Sequence, residues 1–213
     1  LAFSRNVAIA KLALAHLEPD KLRAMAARWG FDRPIELGGD ERVEASPTTI
    51  PDDPFGFANA AAGFGDVKLS AMHGALLAAT VANGGVMVAP IESDDADQAA
   101  PRRVVDAKVA RALAAMMRET VAAGTARRQF STAPHMNVPA AGKTGSLTDY
   151  STGLETTWFI GYAPADHPEV AVASVVVNTD KWNVRAPFTA KEALRSWFAA
   201  HPPEKASGVV ARR

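Results

Sequence analysis

At 213 residues, 48% hydrophobic and 22% charged, the chain can bury a sizeable core and has the length of one globular domain or two small ones. Its 23 Lys and Arg balance 23 Asp and Glu, so it lacks the positive field that nucleic acid needs, and no nucleic-acid partner is expected. The absence of cysteine excludes disulfides, thiolate metal sites and cysteine nucleophiles; the five histidines share no metal-ligand spacing, and neither a metal nor another cofactor is expected. The most apolar run, Val170 to Val177, is too short to cross a membrane. An opening that is patterned as folded structure from Leu1, without a signal peptide, is expected of a piece of a longer chain.

From Phe3 to Leu17, Val7, Ala10, Leu14 and Leu17 recur at helical spacing and predict a helix buried along one face, with Ser4 at the position of an N-cap. A second helix follows Pro19, with Leu22, Met25, Ala26 and Trp29 as its stripe and Gly30 as its stop, and the two should form a hairpin. Arg33 to Phe57 carries four prolines and little periodicity and reads as a long loop in which Asp52 and Asp53 are solvated turn residues. Asn59 to Gly65 suits a tight backbone passage more than an element. Ser70 opens a helix with Met72, Leu76, Ala79 and Thr80 on one face, ended by Asn83-Gly84-Gly85.

Val86 to Ile91 and Arg102 to Val105 read as paired strands joined by an acidic loop, Ser93 to Gln98. Ala107 to Ala123 is a helix with Val109, Leu113, Met116, Met117 and Val121 on its stripe. Thr156 to Tyr162 and Glu169 to Asn178 are strands that, with one ending at Ser146, make an antiparallel meander. Because Val170 to Val177 is apolar at nearly every position, both sheet faces should be covered by helices. In the last helix Thr189 and Glu192 suit a capping box, and Ala190, Leu194, Trp197 and Phe198 form the stripe; the tail from Pro202 looks loose.

Val138 to Ser146 stands apart: an apolar approach ends in Lys143, Thr144, Gly145 and Ser146. Lys143 is a mobile point charge with three donors, and Thr144 adds a hydroxyl that can donate to a carboxylate. Gly145 has no side chain to hold a second backbone away. Alternation sends Lys143 and Thr144 to opposite faces, so a ligand touching both must lie beside an edge strand, as an added peptide strand would. The same residues suit a plain hairpin with an exposed lysine. A phosphate-binding P-loop also ends in Gly-Lys-Thr, but it needs a glycine where this chain has Asn137 and a helix where Leu147 to Gly153 reads as loop.

Ser4-Arg5-Asn6 at the mouth of the first helix, followed far downstream by Lys143-Thr144-Gly145 and an antiparallel meander with a C-terminal helix, resembles the S-x-N and K-T-G motifs of penicillin-binding proteins and serine β-lactamases. Gly63-Phe64-Gly65, Asn83 to Pro90, Gly124-Thr125-Ala126 and Thr157 to Pro164 look like further landmarks, so the likeness runs from Ser4 to about Ala200. Ala163 to Asp166 and Ala186-Pro187 look most like monofunctional transpeptidases. The resemblance implies an α+β fold, an antiparallel sheet with helices on both faces, in which residues 1–200 are the C-terminal portion of a transpeptidase domain and 201–213 a flexible tail.

It also implies roles. Ser4 would relay a proton to the leaving amine, with Lys143 biasing nearby proton positions. Asn6 would hold the amide flanking the scissile bond, Lys143 and Thr144 the substrate carboxylate, and the backbone N–H of Ser146 beyond Gly145 half of an oxyanion hole. The implied partners are a peptidoglycan stem peptide or a β-lactam, the implied location extracytoplasmic, with the membrane anchor outside this chain. One departure is large: no serine has a lysine three residues later, so the nucleophile motif S-x-x-K is absent. The chain is therefore expected to keep part of the recognition cleft, to be inactive alone, and to expose apolar surface compatible with a homodimer. A serine β-lactamase and a non-catalytic scaffold are the alternatives.

Overall fold

The computed structural model describes residues 1–38, 40–91, 99–179 and 184–203. The first helix, α1, spans Asn6–His16, but Arg5 rather than Ser4 is its N-cap, and no side chain caps it. Its apolar residues face outward: Val7 is 70% and Leu14 50% exposed, and Ala13 alone is buried. The expected buried stripe is thus absent, because the helix packs on α3 (Pro54–Ala61) only through its small residues; nor does it form the expected hairpin with α2 (Pro19–Arg28). Within the segment read as loop lie a short antiparallel hairpin, β1 (Ile35–Gly38) with β2 (Glu41–Val43), and α3 itself.

Local chemistry explains α3: Asp53 accepts from Gly56 N at 2.8 Å, and Pro54 needs no N–H partner at the first helical position. Asp53 is therefore a cap, while Asp52 pairs with Arg23 of α2 at 2.6 Å. Asn59 to Ala61 belong to the helix, and the tight passage begins only at Gly63 and Gly65, both with positive φ.

Helix α4 (Ala71–Ala82) is capped by Ser70, whose Oγ accepts from His73 N, and is stopped by Asn83-Gly84-Gly85. Its buried face is rotated from the expected one: His73, Gly74, Ala78, Thr80 and Val81 point inward and Met72 outward. Strands β3 (Val86–Met87) and β4 (Arg102–Arg103) pair antiparallel, shorter than expected; the acidic loop lies outside the described residues. On α5 (Ala107–Ala122) the inward residues are Ala110, Met117 and Thr120, and Val109 and Met116 are exposed. A short helix, α6 (Arg127–Phe130), follows.

The centre is a three-stranded antiparallel sheet in the order β5 (Ala141–Asp149), β6 (Leu154–Ala163), β7 (Val170–Asn178). Leu147 to Asp149, read as loop, continue β5 in unbroken register down to Asp149 opposite Leu154. Alternation splits the sheet into two dry faces. Ala141, Tyr162 and partly buried Ile160 pack with Ala78, Val81 and Met117 of α4 and α5 on one side. Phe159 and Ala163 pack on the other against Ala186, Ala190, Leu194 and Phe198 of α7 (Ala186–Ala200). Burial of each large side chain stabilises by about 1.5–3 kcal/mol. The α+β architecture with helices on both faces is the expected one.

Three details of the sequence reading are corrected. Cover is incomplete at the far end of the outer strand, where Val177 is 57% exposed. Helix α7 begins three residues before Thr189, whose hydroxyl donates to Ala186 O, so no capping box forms there. Trp197 of the expected stripe is half-exposed; Lys191 takes a place in the core, its ammonium donating to Thr132 O at 3.0 Å and Pro134 O at 3.2 Å. Of the tail, only His201 to Pro203 fall among the described residues.

Candidate active site

Strand β5 is an edge strand, and its register explains its glycines. Gly142 faces Gly161 across the ladder, and a Cβ on either would overlap the Phe159 ring, which lies over both. Gly145 faces Trp158, where a Cβ would come within 3.2 Å of the Trp158 Cβ, and Ser146 faces Thr157. The pair of small residues lets the ring seal one face while the outer edge of the strand stays open beside Lys143 and Thr144.

The N-terminal turn is carried to that edge by backbone. Thr125 N donates to Ala2 O at 3.0 Å, and a Cβ on Gly124 would overlap the same carbonyl, so the chain can close there only over a glycine. Ser4 sits at φ 47, in the left-handed region that non-glycine residues seldom adopt. That backbone is not the extended one of an N-cap. Instead, Lys143 Nζ donates to Ser4 Oγ at 2.6 Å across 139 positions of sequence, and to Thr144 O at 2.5 Å.

Ser4, Asn6, Lys143, Thr144, Gly145 and Ser146 all line one cleft of about 680 Å³. Lys143 and Thr144, though alternate along the strand, both reach it. Thr144 Oγ1 lies 2.6 Å from Thr125 Oγ1, so two hydroxyls stand together at the edge. Among the described residues that line the cleft there is no carboxylate. An apolar hollow of about 370 Å³, walled by Trp29, Leu77, Val81, Leu113, Met117 and Ile160, meets the cleft at Lys143. Burial lowers the pKa of Lys143, since apolar surroundings disfavour the ammonium.

Thr125, Arg128, Gln129 and Arg185 also line the cleft and were not among the residues expected there. The triplet Gly124-Thr125-Ala126 was the available signal for Thr125; nothing in the local pattern marks the two arginines. The nucleotide-binding alternative is overturned, because Lys143 and Thr144 lie inside a strand that continues to Asp149, where a P-loop turns into a helix.

The model of the penicillin binding protein transpeptidase domain matches residues 1–194. This chain belongs to that family. Among its relatives, peptidoglycan D,D-transpeptidase PbpA of Mycobacterium tuberculosis is 31% identical over 189 residues, covering 82% of this chain and 37% of the relative. The PbpA of Mycolicibacterium smegmatis is 33% identical with the same coverage. The chain thus spans little more than a third of the length of these curated relatives. Among solved structures, penicillin-binding protein A from M. tuberculosis in its imipenem acyl-enzyme complex matches with TM-score 0.71 and 27% identity, over 90% of this chain and 45% of that one. The D,D-transpeptidase domain of a peptidoglycan glycosyltransferase from Eggerthella lenta, at 22% identity and TM-score 0.74 over 94% of this chain and 52% of that one, shares the fold.

Proposed function

We propose that the chain supplies the carboxylate-binding and proton-relay wall of a peptidoglycan D,D-transpeptidase that β-lactams acylate. The observation that carries this reading is the 2.6 Å contact from Lys143 Nζ to Ser4 Oγ in a cleft that Thr144 shares. Because the ammonium donates to Ser4 Oγ, the Ser4 hydroxyl hydrogen is left to point elsewhere, toward a leaving nitrogen in the cleft. Ser4 gives that proton as the C–N bond breaks, and Lys143 replaces it. Lys143 and Thr144 hold the terminal carboxylate of the acyl-peptide or β-lactam, Asn6 the amide beside the scissile bond, and Ser146 N–H, beyond Gly145, part of the oxyanion hole. Loss of one such donor raises a barrier by about 2.7–4 kcal/mol.

The attacking serine is outside these residues, since no serine here has a lysine three positions on and the relatives are much longer. Residues 1–200 are on this reading the C-terminal portion of the domain, working outside the cytoplasmic membrane, where peptidoglycan lies. Among the described residues no helix is long and apolar enough to cross a membrane.

The carboxylate role is tested by calorimetry of the chain with benzylpenicillin and with its methyl ester. The free acid should bind about tenfold more tightly, the size of one charge-assisted hydrogen bond, and K143M should erase the difference. Equal affinities in the wild type would contradict the assignment.

A further inference from the structure

The cleft does not end at the edge strand. Arg128, Gln129 and Arg185 line it and also line a second hollow of about 610 Å³, which Ser4, Lys143 and Thr144 do not reach. No carboxylate belongs to the described lining of either hollow. Arg185 is already engaged: its two terminal nitrogens face the Glu155 carboxylate at 3.1 and 3.2 Å. Arg128 is exposed and has no side-chain partner among the described residues. Beside it, Gln129 Oε1 is sealed from solvent and accepts no hydrogen bond. The seam is continuous with the first anion site, because Arg128 and Gln129 line the same cleft as Thr125, Lys143 and Thr144.

We propose that Arg128 and Gln129 form a second anion subsite, which takes a further carboxylate carried on the ligand's side chain. The planar guanidinium offers a paired N–H fork that fits a carboxylate, and Gln129 lines both hollows beside it. The ligand class is a dicarboxylate acyl-peptide or β-lactam, with one carboxylate at Lys143 and Thr144 and the other at the seam. This inference rests on the proposed role of Lys143 and Thr144 for the first.

The test is an NMR titration of the isotopically labelled chain with benzylpenicillin and with carbenicillin, which differs from it by one added side-chain carboxylate. Carbenicillin should move the Arg128 guanidinium and Gln129 amide signals, which benzylpenicillin leaves in place, and should bind about 3–5-fold more tightly, the upper range of a solvated ion pair. In R128Q the two affinities should fall within about twofold of each other; R128K, which keeps the charge without the fork, should retain part of the preference. Equal affinities in the wild type, or a preference that survives R128Q, overturn the subsite. Signals that move with both drugs at Lys143 to Ser146 and with neither at Arg128 remove the subsite and leave the proposed function standing. The reverse pattern removes the proposed function and keeps the subsite.

Discussion

Lys143 must be charged to hold an anion, and its surroundings oppose that charge. Apolar side chains meet it on one flank and burial lowers its pKa, while Ser4 Oγ and Thr144 O each accept one of its protons. The sign follows directly: the folded chain holds this proton less tightly than the unfolded chain does. Between the two pKa values unfolding takes up a proton, so this group's contribution to stability rises with pH while anion binding is lost. The affinity of the chain for N-acetyl-D-alanyl-D-alanine should therefore fall with a midpoint below about 10.4, the value of a free lysine, and K143R should remove the fall. A flat profile through that pH would show that Lys143 does not carry the binding. Lys143 and Thr144 were legible as cleft residues because cation, hydroxyl and glycine succeed one another in three residues. Ser4 was legible only in part: a serine before a helix reads as a cap, and nothing local shows that φ 47 turns it to a lysine 139 positions away. Arg128 could not be read at all, since a charged residue on a four-residue helix normally serves only solvation.

At the scale of elements, the edge strand depends on two glycines meeting under one ring. In G142A the new methyl would overlap Phe159, which is fully buried and cannot swing aside. Such overpacking costs about 1–3 kcal/mol, which lowers the Tm of a chain this long by about 2–12 °C; thermal unfolding at unchanged Tm would mean that the ring relaxes freely. The strands of the meander were legible because they are rich in β-branched and aromatic residues, although the end of β5 from Leu147 to Asp149 reads as loop. Helix stripes were less so. On α5 Val109 and Met116 lie outside while Ala110, Met117 and Thr120 lie inside, so the buried stripe holds one bulky residue between small ones and is rotated from the apolar one. On α7 Lys191 enters the core, because the Glu192 carboxylate at 3.0 Å balances its charge and the backbone carbonyls of Thr132 and Pro134 accept from its ammonium there. Periodicity reports hydropathy, and hydropathy does not see partners of that kind.

Over the whole molecule, the two packed faces of one antiparallel sheet hold the edge strand rigid, and the N-terminal turn docks on it through Gly124 and Thr125. The apolar residues that α1 turns outward and the hollow beside Lys143 are surfaces that this chain alone leaves uncovered. The architecture was legible from the order of its elements, but the exposure of α1 was not, because an amphipathic pattern names an apolar face without naming what covers it. On the proposed function this cleft serves a serine acyl-enzyme whose nucleophile the longer protein supplies. That function is tested by the intact mass of the full-length protein carrying this chain after incubation with benzylpenicillin, with the chain alone as control. One drug adduct per longer protein is expected, none on the chain, and a slower adduct in K143M by about 100-fold, the loss expected for one transition-state charge contact. An adduct on the chain itself, or none on a folded full-length protein with the drug left intact, would contradict it.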